Sequence, residues 1–206
     1  MAKLLIASNN HGKLVEFQAL LGDLDLELLT PALLGLRLEV EENGRTYAEN
    51  AAAKAAAFAR ASGLPALGDD SGLEVDALGG EPGIRSHRFA PQPDAGDADR
   101  RAYLLERLSG HPRPWTARFH CSVALAIPGE AGQEPRLHFA EGGCEGEIIP
   151  EERGETGFGY DPVFYIPGLQ ATMAELGMEQ KNRLSHRANA VRAARPLIAR
   201  LLGLPA

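Results

Sequence analysis

Two neighbouring carboxylates, Asp69 and Asp70, follow the short apolar run Leu64-Pro65-Ala66-Leu67-Gly68 and precede a hydroxyl at Ser71 and a glycine at Gly72. The run reads as a strand. Successive strand side chains leave on opposite faces, so only one of the two carboxylates can look into any given cleft. A carboxylate at a strand end before a tight turn suits an oxygen-ligated metal or a general base. The same residues also suit a plain Asp-Ser-Gly hairpin turn with solvated acids. A second candidate is Ser8-Asn9-Asn10-His11-Gly12-Lys13, between an apolar strand over Lys3–Ala7 and a helix striped by Leu14, Phe17, Leu20 and Leu21. A small-polar loop entering a helix N-terminus that bears a lysine offers free N–H groups, a favourable dipole and a cation to a phosphate. Its glycine spacing is not that of the Walker loop.

Composition narrows what these groups can serve. The chain has 206 residues, 44% of them hydrophobic and 24% charged, which is ordinary for a globular protein and enough for a real core. Its formal charge of −7 gives no field to draw in nucleic acid, so an anionic ligand needs a local cation or a bridging metal. Two cysteines, Cys121 and Cys144, stand far apart in apolar surroundings and indicate neither a zinc site nor a redox pair. Only Lys3, Lys13, Lys54 and Lys181 interrupt an otherwise arginine-based set of cations. A lysine kept in such a chain marks a place that wants a compact point charge. No apolar run is long enough for a membrane span, and the apolar start is too short for a signal peptide, so a cytoplasmic location is expected.

The elements that must position these groups follow from periodicity and punctuation. A second strand is predicted over Glu27–Thr30. Thr46 and Glu49 have capping-box spacing and open an alanine-rich helix centred on Lys54, which Ser62-Gly63 ends. Leu78 to Ile84 carries three glycines and must follow a tight path or approach a ligand closely. A helix is expected over 99–108, a strand over 117–127, and two further strands over 136–140 and 144–149, with Thr172 and Glu175 as another cap. The last helix runs from Ser185 to Leu202, with Pro196 expected to kink or break it. Helices around a mixed sheet make an α/β protein, one domain over 1–206 without a linker.

Four separated motifs then align: Ser8-x-Asn10-x-x-Lys13, Gly68-Asp69-Asp70-Ser71-Gly72, Phe158-Gly159-Tyr160-Asp161 and Ser185-His186-Arg187. Together with Ala77 to Ile84 they resemble the inosine/xanthosine triphosphate pyrophosphatase family, from residue 4 to about residue 190. The resemblance implies a long mixed central sheet with flanking helices, two lobes with the nucleotide in a cleft between them, and a homodimer. It implies Mg²⁺-dependent hydrolysis of ITP, dITP and XTP to the monophosphate and pyrophosphate, removing deaminated purines from the nucleotide pool. In its terms Glu41 and Asp70 hold the metal, and Asp70 is also the proton acceptor that activates water. Ser8, Asn9, Asn10, His11, Gly12, Lys13 and Lys181 meet the phosphates or the nucleotide, and Ser71 is a further contact. Phe158, Gly159, Tyr160, Asp161, His186 and Arg187 form the base site, with Asp69 facing away in a supporting role. Phe158 alternatively reads as part of a buried strand through Ile166. Asn9 stands where the family often has glycine, Arg85 where it is often aromatic and His87 where it is often small. A pyrimidine-directed hydrolase resembling the septum-formation inhibitor family fits less well, given the intact Phe158–Asp161 and Ser185–Arg187 motifs. A turnover-free nucleotide sensor would have no use for Asp70.

Overall fold

In a computed structural model, which describes residues 1–130 and 132–204, seven strands are hydrogen-bonded in the order β2-β1-β3-β4-β5-β6-β7. They are β1 (Ala2–Ile6), β2 (Leu26–Leu29), β3 (Ala66–Val75), β4 (Trp115–Ile127), β5 (Arg136–Ile148), β6 (Phe164–Ile166) and β7 (Ala171–Thr172). The helices are α1 (His11–Leu21), α2 (Tyr47–Ser62), α3 (Asp97–Leu108), α4 (Met178–Leu184) and α5 (His186–Leu202). β1 runs parallel to β2 and β3, while β6 is antiparallel to β5 and β7, so the sheet is mixed and the protein is α/β. The expected domain over 1–206 extends to three residues outside those described.

Two compact units interleave along the chain. One comprises Met1–Asp70, Cys121–Gly142 and residues from Arg187 onward; the other comprises Ser71–His120 and Gly143–His186. In the first unit, strand alternation sorts the apolar side chains between two faces. Leu4, Ile6, Leu67, Cys121, Val123 and Leu125 pack with Phe17 and Leu21 of α1 and with Val191, Ala194 and Ile198 of α5. Leu5, Ala7, Ala66, Ala124 and Ala126 pack on the opposite side with Ala51, Ala55, Phe58 and Ala59 of α2. Helices therefore cover both faces, as the near-continuous apolar runs of β1 and β4 require. The second unit has its own core, built by Leu73, Val75, Trp115, Phe119, Ile148 and Phe164 with Leu104 and Leu108 of α3.

Helix ends match their sequence signals. Asn10 caps α1 by accepting from the Lys13 N–H at 3.1 Å, and Thr46 caps α2 by accepting from the Glu49 N–H at 3.1 Å. Gly63 ends α2 at φ 68°, its N–H donating to the Ala59 carbonyl. Other expectations are corrected. No turn interrupts Asp69-Asp70-Ser71-Gly72, which lies inside the ten-residue β3. The two strands expected over 136–149 are one, β5. Phe158 does not belong to a buried strand, because only Phe164–Ile166 is extended and residues 158–163 form turns. α5 runs unbroken through Pro196, which sits on its exposed side where a missing N–H costs least. Among the described residues no helix is long and apolar enough to cross a membrane.

Gly68 is the closest packing point beside the carboxylates. A Cβ there would lie 2.7 Å from the Ala51 carbonyl oxygen and 2.8 Å from the Ala55 nitrogen, both backbone atoms of α2. The alanines at 51, 55 and 59 let the helix come this near. Gly68→Ala is expected to cost about 1–3 kcal/mol in urea unfolding, since helix or strand must shift. An unchanged midpoint would show that the contact yields freely.

Candidate active site

Asp69 and Asp70 point to opposite faces of β3, and each meets a different helix. Asp69 is 2% exposed and faces α1 and α5. Its Oδ2 lies 2.9 Å from Lys13 Nζ, and accepts from Arg187 Nε and Nη2 at 3.2 and 3.1 Å. Arg187, itself 1% exposed, spends Nη1 on Glu16 of α1. Lys13, Glu16, Asp69 and Arg187 thus make one buried charge cluster of two anions and two cations. Burial acts to raise the Asp69 carboxyl, but Lys13, Arg187 and Lys54 outweigh it and hold the group well below the usual carboxylate range. Arg187 shows the mirror effect. Burial disfavours its charge, and Asp69 and Glu16 more than restore it.

Asp70 faces α2. Its Oδ2 accepts from Asn50 Nδ2 at 2.9 Å, and Lys54 Nζ stands 3.7 Å from Oδ1. The same lysine sits 2.8 Å from Glu42 Oε1, and Asn50 Oδ1 accepts from the Gly44 N–H at 2.8 Å. Asn50 and Lys54, one turn apart on α2, therefore tie Asp70 to the 41–44 loop. Here the balance reverses. Burial pushes Asp70 upward and Glu42 repels its charge, and Lys54 and Asn50 do not fully compensate. Burial likewise weakens Lys54 as a cation, yet Asp69, Asp70 and Glu42 raise it and keep it protonated. Two adjacent carboxyls thus sit on opposite sides of their ordinary value. Asp69 is a fixed anion, and Asp70 is the better proton acceptor.

The loop before α1 takes the shape that its residues suggest. The Asn10 N–H donates to Ser8 Oγ, the Asn9 amide reaches the Leu38 carbonyl, and His11, Gly12 and Lys13 form the first turn of α1. First-turn N–H groups have no partner within the helix, so His11 and Gly12 present donors at its positive end. Ser71 shares its strand face with Asp69, not with Asp70. Glu41 is exposed, its Oε2 accepting from Asn43 at 2.7 Å.

A second group of candidate residues lies within the other unit. Phe158 is half-buried and outside the core, and Lys181 Nζ lies 4.9 Å from its ring centroid. Lys181 also pairs with Asp161 at 2.8 Å, and Asp161 accepts from the Phe158 N–H at 3.0 Å. Both partners of that pair are buried. Tyr160 packs into the core and donates its hydroxyl to the Ser86 carbonyl at 2.8 Å. His186 stacks on Phe119, rings 4.6 Å apart and inclined by 19°. The unit boundary falls between His186 and Arg187, so these neighbours in sequence serve different groups. Arg85 and His87 are exposed on the 3₁₀ segment Gly83–Arg88.

Glu16, Asn50 and Lys54 were not singled out by motif. Lys54 carried a signal, being one of four lysines, and an asparagine in the middle of an alanine-rich helix is a second. Glu16 carried none, because its partner Arg187 is 171 residues away.

The site thus sits on a mixed α/β sheet, where a strand-loop-helix joint adjoins two buried carboxylates. The chain belongs to the Ham1 family, whose model matches residues 4–197. It is 48% identical over 200 residues to the dITP/XTP pyrophosphatase of Desulforamulus reducens, covering 97% of this chain and 96% of that protein. It is 48% identical over 194 residues to the dITP/XTP pyrophosphatase of Thermus thermophilus, covering 93% and 89%. A HAM1 protein from Coxiella burnetii superposes with a TM-score of 0.85 at 41% identity, covering 97% of this chain and all of that one.

The Asp69 cluster gives a signed expectation. A carboxyl lowered in the fold contributes stability that is complete above its unfolded value near 3.8 and lost as pH falls below it. Asp69→Asn leaves Lys13 and Arg187 short of an anion and should cost about 3 kcal/mol at neutral pH. Its stability should also fall less steeply than the parent's between about pH 4 and 2. Parallel pH-stability curves for the two proteins would refute the assignment.

Proposed function

We propose that the protein hydrolyses nonstandard purine nucleoside triphosphates, ITP, dITP and XTP, to the monophosphate and pyrophosphate. The observation that carries this reading is the pair of adjacent buried carboxyls held in opposite electrostatic states beside a phosphate-type loop. The names of the similar proteins, dITP/XTP pyrophosphatases, support the substrate class. We assign the phosphates to Ser8 to Lys13, with Ser71 as a further contact, and the base to the Phe158–Asp161 turn, Lys181 and His186.

Asp70 takes a proton from water as the water oxygen bonds to the α-phosphorus. The bond from that phosphorus to the bridging oxygen breaks, and pyrophosphate leaves. Lys13 and the N–H groups at the start of α1 counter the charge of the phosphates, since phosphoryl transfer asks mainly for positioning and neutralisation. Asp69 and Arg187 act behind Lys13 by fixing where its ammonium can reach. Phe158 offers a partly exposed ring for a purine to stack on, with the Lys181 ammonium close by. A donor from His186 toward a 6-oxo group rejects adenine, whose amino group would leave two donors facing each other. Tyr160 serves by anchoring the turn in the core.

The metal of this reading is Mg²⁺. Among the described residues no three His, Cys, Asp or Glu side chains gather as a metal group. One or two carboxylates completed by water and phosphate oxygens is how this hard cation is usually held. Glu41 and Asp70 are the residues to hold it, and bound there it would supply neutralisation of the triphosphate and polarisation of the phosphoryl oxygens. The protein works as a cytoplasmic homodimer, and exposed Leu137 and Phe139 on β5 provide apolar surface for a second copy.

Pyrophosphate release should be fastest with ITP, dITP and XTP, slow with ATP, GTP, dUTP and TTP, and abolished by EDTA. Uniform release from all, or preference for the pyrimidines, would refute the substrate class. Asp70→Asn should lose roughly 10²–10⁴-fold in kcat while still binding ITP in calorimetry. An unchanged kcat would remove the base. Light scattering should give twice the chain mass, and a monomer would refute the dimer.

A further inference from the structure

The turn that carries Phe158 is closed by the Asp161 N–H on the Phe158 carbonyl at 3.2 Å and by the Phe158 N–H on the Asp161 carboxylate at 3.0 Å, and glycines surround that closure. Gly154, Gly157 and Gly159 all take positive φ, at 86°, 79° and 64°. Such backbone is intrinsically free and costly to order. Yet both backbone polar groups of Gly159 are taken by side chains of a single helix. Its N–H donates to Asp97 Oδ2 at 2.7 Å, and its carbonyl accepts from Arg101 Nη1 at 2.9 Å. Asp97 and Arg101 stand one turn apart on α3 and so share a face. A residue in an antiparallel ladder is gripped through the same two groups by a neighbouring strand; here two side chains do it.

The grip is itself braced. Arg101 Nη2 pairs with Glu152 at 2.9 Å, and the other oxygen of Asp97 accepts from Arg100. Burial opposes the Asp97 charge, but the Gly159 N–H and Arg100 prevail and hold its carboxyl below the usual range. Bonds of this charge-assisted kind are the stronger ones. The fold has other means of fixing this turn. Tyr160 anchors it in the core, and Asp161 ties the Phe158 N–H to Lys181. The Gly159 clamp acts one residue from Phe158, where the core does not reach.

We propose that Asp97 and Arg101 are positioning residues that fix the Phe158 ring and thereby set selectivity for the base. The inference rests on the reading of Phe158 as the stacking platform. It places part of the specificity on α3, outside every motif that marks the site in sequence.

Arg101→Ala, Asp97→Ala, Arg101→Lys and Phe158→Ala test it together, in steady-state kinetics with ITP and ATP, amide hydrogen exchange and thermal unfolding. Arg101→Ala is expected to raise KM for ITP about tenfold with kcat within about twofold, and to shrink the preference for ITP over ATP. Exchange should quicken at residues 157–161 while the α3 and β4 amides keep their protection. Arg101→Lys retains one donor for the Gly159 carbonyl and should recover part of the KM. If Arg101→Ala does not fold, Asp97→Ala reads the other half of the clamp with the same expectation. Unchanged KM and selectivity in the clamp variants, with KM raised in Phe158→Ala, overturn the clamp and leave the base site standing. Unchanged KM in Phe158→Ala overturns the base site, and the clamp with it. Lowered melting temperature with kinetic constants unmoved marks Asp97 and Arg101 as merely structural and also overturns it.

Discussion

Charge pairing in the dry interior is the constraint on which this structure turns. Three carboxylates, Asp69, Asp70 and Asp161, are all buried, and each stands beside a buried or nearly buried lysine. An unpaired carboxylate would neutralise there instead of staying charged. The pairs are not interchangeable, however. Asp69 has two cations in contact and stays an anion under any ordinary condition. Asp70 has one lysine at a longer distance, an amide, and a repelling glutamate close by. A single step along β3 separates these environments because the strand hands its neighbours to different helices. What α1 and α5 supply on one face, α2 supplies only in part on the other.

Backbone proximity makes the second environment possible. α2 reaches Asp70 with short side chains, and it can do so only because Gly68 and the Ala51–Ala55–Ala59 stripe bring helix and strand together. Asn50 and Lys54 project from the same helix toward the same carboxylate. Packing and chemistry share one geometric condition here. A larger residue at the strand glycine would move the helix that tunes the acid two residues on.

Much of this was legible in the sequence, and for identifiable reasons. Period-two alternation separated Asp69 from Asp70, and cap residues located the starts of α1 and α2. The scarcity of lysine pointed alike to Lys3, Lys13, Lys54 and Lys181; the last three lie against a buried carboxylate, whereas Lys3 pairs with Glu27 in the open. Local signals failed where tertiary pairing overrode them. Asp-Ser-Gly reads as a turn, yet β3, paired with β1 only at Ala66 and Leu67 and flanked by β4 on its other side, stays extended through it. Residues 136–140 and 144–149 read as two strands, yet β5 runs through the interval between them. α4 has a first turn of Met178-Glu179-Gln180-Lys181 and no apolar stripe to announce it. The resemblance implies a place for Arg187 in the base site beside His186, and no local pattern announces the bonds of its guanidinium to Asp69 and Glu16.

That commitment bears on how the two sets of residues divide their work. The set around Asp69 and Asp70 is fixed by opposite charges in contact, which tolerate little movement without a large electrostatic cost. The Phe158 turn has one such pair, Lys181 with Asp161, and adds to it a hold on the backbone of Gly159 by Asp97 and Arg101. Under the proposed function, charge neutralisation at phosphorus depends on cations whose distances do not drift, which the first arrangement would supply. Telling one purine from another depends on where a ring and a donor lie to a fraction of an ångström, and a glycine turn adopts that position only if something outside it imposes it. Discrimination in a site of this kind therefore belongs as much to the groups that hold the turn as to the ring that touches the base.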